Sequence, residues 1–359
     1  MSIEAVNALI VLSVGCTFVI SSYFVRDRTV FNNSGTVIPY EFNQALRGFA
    51  IVLIVINHIG SFSGIRYFAP LGRIGVCIFL IISGYGLSEA YFRRGLVDFI
   101  KKRVLRVLLP FWILVFVFFV PSYFAGDTEK LVLVPSYLLM LRLPAREYWF
   151  IQFIFIWYII FYVACRIPVQ NNLKLLFVFI AGLLCLILAD DYLVAGQAFS
   201  FLIGMLLSKY KTVIADFIAT RKTAAAAGSA LCALSGICLW VKQFPEVRNH
   251  AGTALFNFNE QATVAFAALC LIIFCTRLID PSYQKIARLL GKSSYEIYLV
   301  HVLFLSLLTQ KQMSALRVWI FLCITVCSAS VFCFIAGRVS KFISPFLVRQ
   351  NSVLSGHGP

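Results

Sequence analysis

Residues 47–58 read Arg47-Gly48-Phe49-Ala50-Ile51-Val52-Leu53-Ile54-Val55-Ile56-Asn57-His58. The run from Phe49 to Ile56 is apolar on every face a helix could present, which marks a membrane span rather than a surface helix. Eleven steps of about 100° come to roughly 1100°, three turns plus ~20°, so Arg47 and His58 share one face. They stand ~16 Å apart along the axis, about half the hydrocarbon thickness of a bilayer. With Arg47 at one membrane surface, His58 lies near the midplane, where a titratable group is costly and reads by default as functional.

The same composition runs through the chain: 359 residues, 61% hydrophobic and 13% charged. A soluble globular domain and a disordered chain are both excluded, and apolar runs of about 18 residues or more recur. The first run, Val6 to Val25, follows Glu4 and no basic residue. It is expected to be an uncleaved helix rather than a signal peptide. The net charge of +16 is read as cytoplasmic loop charge facing anionic lipid, not as a nucleic-acid footprint. Nearly all of the eleven cysteines fall in apolar runs and none has C-x-x-C spacing. No disulfide and no metal site is expected.

The expected fold class is all-α, a polytopic transmembrane bundle of about eleven helices. They fall near residues 6–25, 45–64, 72–92, 107–124, 148–165, 174–190, 194–208, 223–241, 260–278, 294–309 and 315–337. Alternating the loops places 22 of the 31 Lys and Arg residues on one side. That side is therefore cytoplasmic, with the N-terminus outside and the C-terminus inside. Three segments follow: residues 1–40, an extra helix and polar connector; 41–345, the main membrane domain; and 346–359, a polar tail. Between the fourth and fifth helices, Leu131–Leu141 is apolar but too short to span, as expected of a re-entrant or interfacial element. No internal repeat is visible, so any chemistry must use the helices and their short loops.

Several groups stand out, each with a plain structural reading beside the functional one. His58, next to Asn57, is either an interhelical hydrogen-bonding group or a general base, since neutral imidazole suits proton abstraction near pH 7. Arg47 is either an interfacial anchor or part of the same site. Ser83, Gly84 and Gly86, in Phe79-Leu80-Ile81-Ile82-Ser83-Gly84-Tyr85-Gly86, permit close helix packing or line a cavity. Arg103 and Arg106 share a face at i, i+3 spacing ahead of Pro110, a topology signal or a clamp for phosphates. Glu147-Tyr148-Trp149-Phe150 reads as an interfacial aromatic belt, with Trp149 also able to stack on a sugar. Tyr295, Glu296 and His301 carry polar groups into a further membrane helix, as structure or as catalysis.

Taken in order, these pieces resemble the acyltransferase 3 family of membrane O-acyltransferases. The resemblance rests on Arg-x10-His (Arg47, His58), a Phe-Phe-x-x-Ser-Gly-Phe-like motif (Phe79, Ser83, Gly84, Tyr85) and Arg-x-x-Arg before proline (Arg103, Arg106, Pro110). Tyr148-Trp149-Phe150 and Ser294-Tyr295-Glu296-Ile297-Tyr298-Leu299-Val300-His301 complete it, and it spans roughly residues 41–345. Leu80 and Tyr85 depart from the pattern conservatively. The resemblance implies a ten-helix core, to which the helix at 6–25 is extra. It implies transfer of an acyl group, commonly acetyl from acetyl-CoA as cosubstrate, onto a hydroxyl of a cell-envelope polysaccharide or glycolipid in a bacterial inner membrane. It also implies that His58 is essential and that Arg103 and Arg106 serve the cytoplasmic donor.

The expected mechanism puts the donor phosphates on Arg103 and Arg106, with Ser83 and Gly84 at the donor and Arg47 nearby. His58 acts as general base or carries the acyl group in passing. The rival class is a proton-coupled transporter or flippase for a glycan or lipid, using His58 and Glu296. It lacks support from any inverted repeat.

Overall fold

The computed structural model describes residues 37–62, 64, 68–126, 131–249, 252–279, 284–305 and 315–345. The expected helix at 6–25, most of the polar connector and the tail from 346 lie outside them. The chain folds as helices: α1 (Tyr40–Phe62), α2 (Ala69–Arg94), α3 (Phe99–Arg103, the π-helical turn Val104–Leu108, then Leu109–Phe124), α4 (Val134–Leu138) and α5 (Trp149–Arg166). They continue with α6 (Asn171–Leu188), α7 (Tyr192–Ala195), α8 (Ser200–Lys209), α9 (Lys211–Phe217), α10 (Arg221–Val241) and α11 (Pro245–Arg248). The series ends with α12 (Ala254–Ile273, running into a π-helical turn Phe274–Leu278), α13 (Lys285–Lys292), α14 (Ser294–Phe304) and α15 (Ala315–Ile343). Among the described residues nine helical stretches are long and apolar enough to cross a membrane, with α7 and α8 counted together as one, Tyr192–Lys209. The protein is a multi-pass, all-α membrane protein. Helices prevail because a backbone in lipid must satisfy its own polar groups.

Two compact units result: Met1–Gly95 with Trp157–Ser294, and Leu96–Ile156 with Tyr295–Pro359. In the first, α2 runs through the core, where Ile78, Ile81 and Ile82 pack with Ala268, Ile272 and Cys275 of α12. Lipid tails are as apolar as leucine, so helices there associate by close packing, which favours small residues. The α2–α8 crossing shows how close. A Cβ at Gly84 would run into the Phe201 carbonyl, and one at Gly204 into the Ile81 carbonyl. Each helix therefore offers a glycine to the other's backbone. Trp157 of α5 then stacks on Phe201, ring centroids 5.7 Å apart and 12° from parallel.

The expected helix at 194–208 is interrupted, α7 and α8 being separated by a turn at Gly196–Phe199. Broken backbone buried inside the protein needs substitute partners, and buried side chains provide them. Gln261 Oε1 accepts from the Phe199 amide at 2.9 Å, and Gln261 Nε2 donates to Ser200 Oγ at 3.2 Å. Ser200 Oγ donates to Gln197 Oε1 at 2.8 Å, and Gln197 Nε2 donates to the Arg73 carbonyl at 2.9 Å.

In the second unit the reciprocal hydrogen bonds of two tyrosines join α14 to the start of α5. Tyr148 Oη donates to the Leu299 carbonyl at 2.8 Å and Tyr298 Oη to the Glu147 carbonyl at 2.5 Å. The segment expected to be re-entrant or interfacial, Leu131–Leu141, contains the short helix α4. Trp112 Nε1 donates to the Leu138 carbonyl and Gln152 Nε2 to that of Met140, both at 2.9 Å.

Two glycines of one motif give the packing test. Gly84 has a neighbouring carbonyl where a Cβ would go, whereas Gly86 has nothing within 4 Å. Gly84→Ala is expected to lower the thermal midpoint in detergent, at a cost of about 1–3 kcal/mol, while Gly86→Ala leaves it unchanged or slightly raised. Equal behaviour of the two would contradict the packing account.

Candidate functional site

Helix α1 carries Arg47, Asn57 and His58, and neighbouring glycines hold it at three levels. Near Arg47, a Cβ at Gly48 would strike the Ala287 carbonyl of α13, and one at Gly291 the Gln44 carbonyl. At mid-helix, Gly75 of α2 faces the Ala50 carbonyl. At the far end, a Cβ at Gly72 would lie 2.6 Å from Asn57 Nδ2. Such contacts leave α1 little freedom to slide or rotate. Arg47 and His58 are both half-buried on this helix; in a helix that runs Tyr40–Phe62, Arg47 stands seven residues from the start and His58 four from the end.

The residue after Gly72 opens a charged group that the sequence analysis did not single out. Arg73 pairs with Glu260 of α12, and Lys242, just past α10, pairs with the same carboxylate at 2.5 Å. Glu260 is 2% exposed, and the side chains of Arg73 and Lys242 are 17% and 12% exposed. A lone buried carboxylate would be prohibitive, and two cations offset it. The signal was present, since Glu260 is an acid inside an apolar helix, the same criterion that selected His58. The group ties together α2, α10 and α12, and α2 is the helix against which Asn57 is seated.

Ser83 and Gly84 have different neighbours. Gly84 is accounted for by the crossing with α8, while Ser83 Oγ lies 3.5 Å from Tyr158 Oη, at the limit of a hydrogen bond.

In the second unit, Arg103 and Arg106 flank and occupy the π-helical turn Val104–Leu108. There the Leu109 amide donates to the Val104 carbonyl, five residues back. Pro110 has no N–H to give the Arg106 carbonyl, which explains a widened turn just ahead of it. The pair therefore does not keep ideal α-helical i, i+3 geometry. Arg103 is half-buried with its guanidinium 5.8 Å from the Phe99 ring centre, and Arg106 is exposed. Tyr295 Oη donates to the Val107 carbonyl at 2.8 Å, so it braces the turn that carries Arg106.

Trp149 packs against Phe153, centroids 5.8 Å apart, and is half-buried, as is Glu296. His301 is fully buried. Its Nδ1 lies 2.7 Å from the Tyr298 carbonyl and 3.1 Å from that of Ile297. Carbonyls only accept, so Nδ1 carries the proton. This anchoring to its own helix favours the structural reading of His301.

These observations define a multi-pass membrane protein whose first described helix presents a fixed arginine and histidine eleven residues apart. Comparison with known proteins specifies it further. Residues 42–338 match the acyltransferase domain family. The chain belongs to this family and is a membrane acyltransferase. It is similar to the exopolysaccharide production protein ExoZ of Rhizobium meliloti (strain 1021), 26% identical over 270 residues, covering 67% of this chain and 78% of that protein. No solved structure matches.

Glu260→Gln removes the charge that offsets Arg73 and Lys242. Breaking a buried pair in this way is expected to cost on the order of 3 kcal/mol, seen as a clear fall in the thermal midpoint of the purified protein. A midpoint unchanged from wild type would show that the group does not hold α2, α10 and α12 together.

Proposed function

We propose that the protein transfers an acetyl group from cytoplasmic acetyl-CoA to a hydroxyl of a cell-envelope polysaccharide or glycolipid, in a bacterial inner membrane with its N-terminus outside and C-terminus inside. The observation that carries the reading is Arg47 and His58 on one face of a helix fixed by backbone contacts, in a chain of the acyltransferase family. The name of the similar Rhizobium protein, exopolysaccharide production, supports a glycan acceptor.

In this reading His58 takes the proton of the acceptor hydroxyl as its oxygen attacks the thioester carbonyl. The C–S bond breaks, CoA leaves as thiolate, and the proton held by His58 neutralises it. Preorganisation matters because a base acts only within hydrogen-bonding reach of its proton, and the three glycine contacts of α1 supply it. Arg47, ~16 Å from His58 along the same helix face, is assigned to the anionic part of the donor rather than to the reacting carbonyl. Arg103 and Arg106 are assigned to the donor phosphates, for which guanidinium is well suited. Ser83 is assigned to the donor as a hydroxyl group.

The test is transfer of labelled acetyl from acetyl-CoA to envelope glycans, comparing membranes holding wild type and His58→Ala at matched abundance. Loss of about 10²- to 10⁴-fold is expected. Labelling equal to wild type would remove His58 from the mechanism. Donor supplied without acceptor is expected to leave the wild-type protein itself unlabelled. A labelled histidine would replace direct transfer by a covalent route.

A further inference from the structure

A second candidate site lies in the first unit, at the ends of α2, α6 and α8, apart from the helix that carries Arg47 and His58. A small, half-open cleft with a cavity volume of about 30 Å³ lies there, lined by Ser88, Tyr91, Phe161, Lys174, Met205 and Lys209 among others. Its two ammonium groups have neutral partners. Lys174 Nζ donates to Tyr91 Oη at 2.7 Å, and Lys209 Nζ to Asn172 Oδ1 at 2.6 Å. Nearby Lys211 differs, for it is paired with the Glu89 carboxylate at 2.8 Å. The protein thus neutralises one lysine of this end of the unit and holds two others, by neutral oxygens, around a cavity.

The third observation is Ser88. It is 4% exposed and lines the cleft, and its Oγ has no hydrogen-bond partner among the described residues. A buried hydroxyl without a partner costs free energy, which a ligand with acceptor oxygens would recover. Two ammonium groups, the Tyr91 hydroxyl and an unused Ser88 hydroxyl form a donor-rich set suited to a tetrahedral oxyanion. The surrounding surface is apolar and exposed, with Phe92, Leu173, Leu176 and Phe177 outward. Lysines at this end lie on the side that the basic residues mark as cytoplasmic.

We propose that this cleft binds a phosphate group, carried either by an anionic phospholipid headgroup or by a soluble phosphate. A phosphodiester places its anionic oxygens between Lys174 and Lys209 and accepts from Ser88. A lipid source would lay its acyl chains along the exposed apolar rim. Surface lysines that only set topology would bind no single group and would show no dependence on Ser88.

The experiment is a thermal-midpoint titration of the full-length protein in neutral detergent. The ligands are phosphatidylglycerol, phosphatidylcholine, inorganic phosphate and CoA. The proteins are wild type, Lys174→Gln with Lys209→Gln, Lys174→Arg with Lys209→Arg, Lys209→Gln alone, Ser88→Ala and Lys222→Gln. Wild type is expected to be stabilised saturably by a phosphate ligand, at a concentration at least tenfold higher in the double glutamine variant. The double arginine variant and Lys222→Gln are expected to behave as wild type, and Ser88→Ala to weaken the effect. Should the double glutamine variant fail to fold, Lys209→Gln alone, altered at an exposed side chain, carries the comparison. Stabilisation by phosphatidylglycerol alone identifies a headgroup, and stabilisation by inorganic phosphate, or a CoA effect that the double glutamine variant weakens, identifies a soluble phosphate at this cleft. No stabilisation by any of them, or equal titrations for wild type and the glutamine variants, would overturn the proposal.

Discussion

The arrangement depends on how closely the backbone of α1 is approached by its neighbours. Between membrane helices there is no hydrophobic force to draw one apolar surface to another, so contact is won by shape. Glycine is the residue that lets two helix backbones touch, and here it does so repeatedly. Gly48 and Gly291 bring α1 to α13, Gly75 brings α2 to the Ala50 carbonyl, and Gly72 seats the Asn57 side chain. Arg47 and His58 are placed by these contacts rather than by interactions of their own side chains alone. The chemistry assigned to His58 needs such placing, since a misplaced base loses rate steeply.

The second constraint is charge buried inside the protein. Glu260 is held between Arg73 and Lys242, and the break between α7 and α8 is closed by Gln197, Ser200 and Gln261. Both follow from one rule: polar groups removed from water must find partners inside the protein. The two meet at α2, where the Arg73 carbonyl accepts from Gln197 and the Arg73 guanidinium holds Glu260. This layer of polar contacts begins one residue beyond the glycine that supports Asn57, so the mechanical and electrostatic supports of α1 are neighbours in sequence as well as in space.

Most of the architecture is legible in the sequence because a membrane span announces itself by length and apolarity. The runs containing Phe49–Ile56, Ile74–Ile82 and Phe150–Ile160 lie on helices α1, α2 and α5. The spacing of Arg47 and His58 survives because nothing interrupts α1 between them. The same arithmetic was less faithful for Arg103 and Arg106, where Pro110 removes a donor and the helix widens into a π turn. The break after Ala195 was hidden, since Gln197 and Ser200 look like two polar positions in an apolar run until Gln261 is brought opposite them. Glu260 was legible by the intramembrane-charge rule but its two partners were not, being 187 residues away in Arg73 and 18 away in Lys242 along the chain. Pairing of Tyr148 with Tyr298 is similarly a tertiary fact that two separate aromatic motifs do not disclose.

The central claim is that His58, on its fixed helix, is the proton acceptor for acyl transfer. The most direct measurement is the rate of CoA thiol release by purified protein in detergent with donor and acceptor present, where no sealed compartment exists for transport. Wild type is compared with His58→Gln at equal thermal midpoint. The account predicts steady thiol release by wild type and a loss of at least about a hundredfold in the variant. Release by His58→Gln within a few-fold of wild type would contradict it.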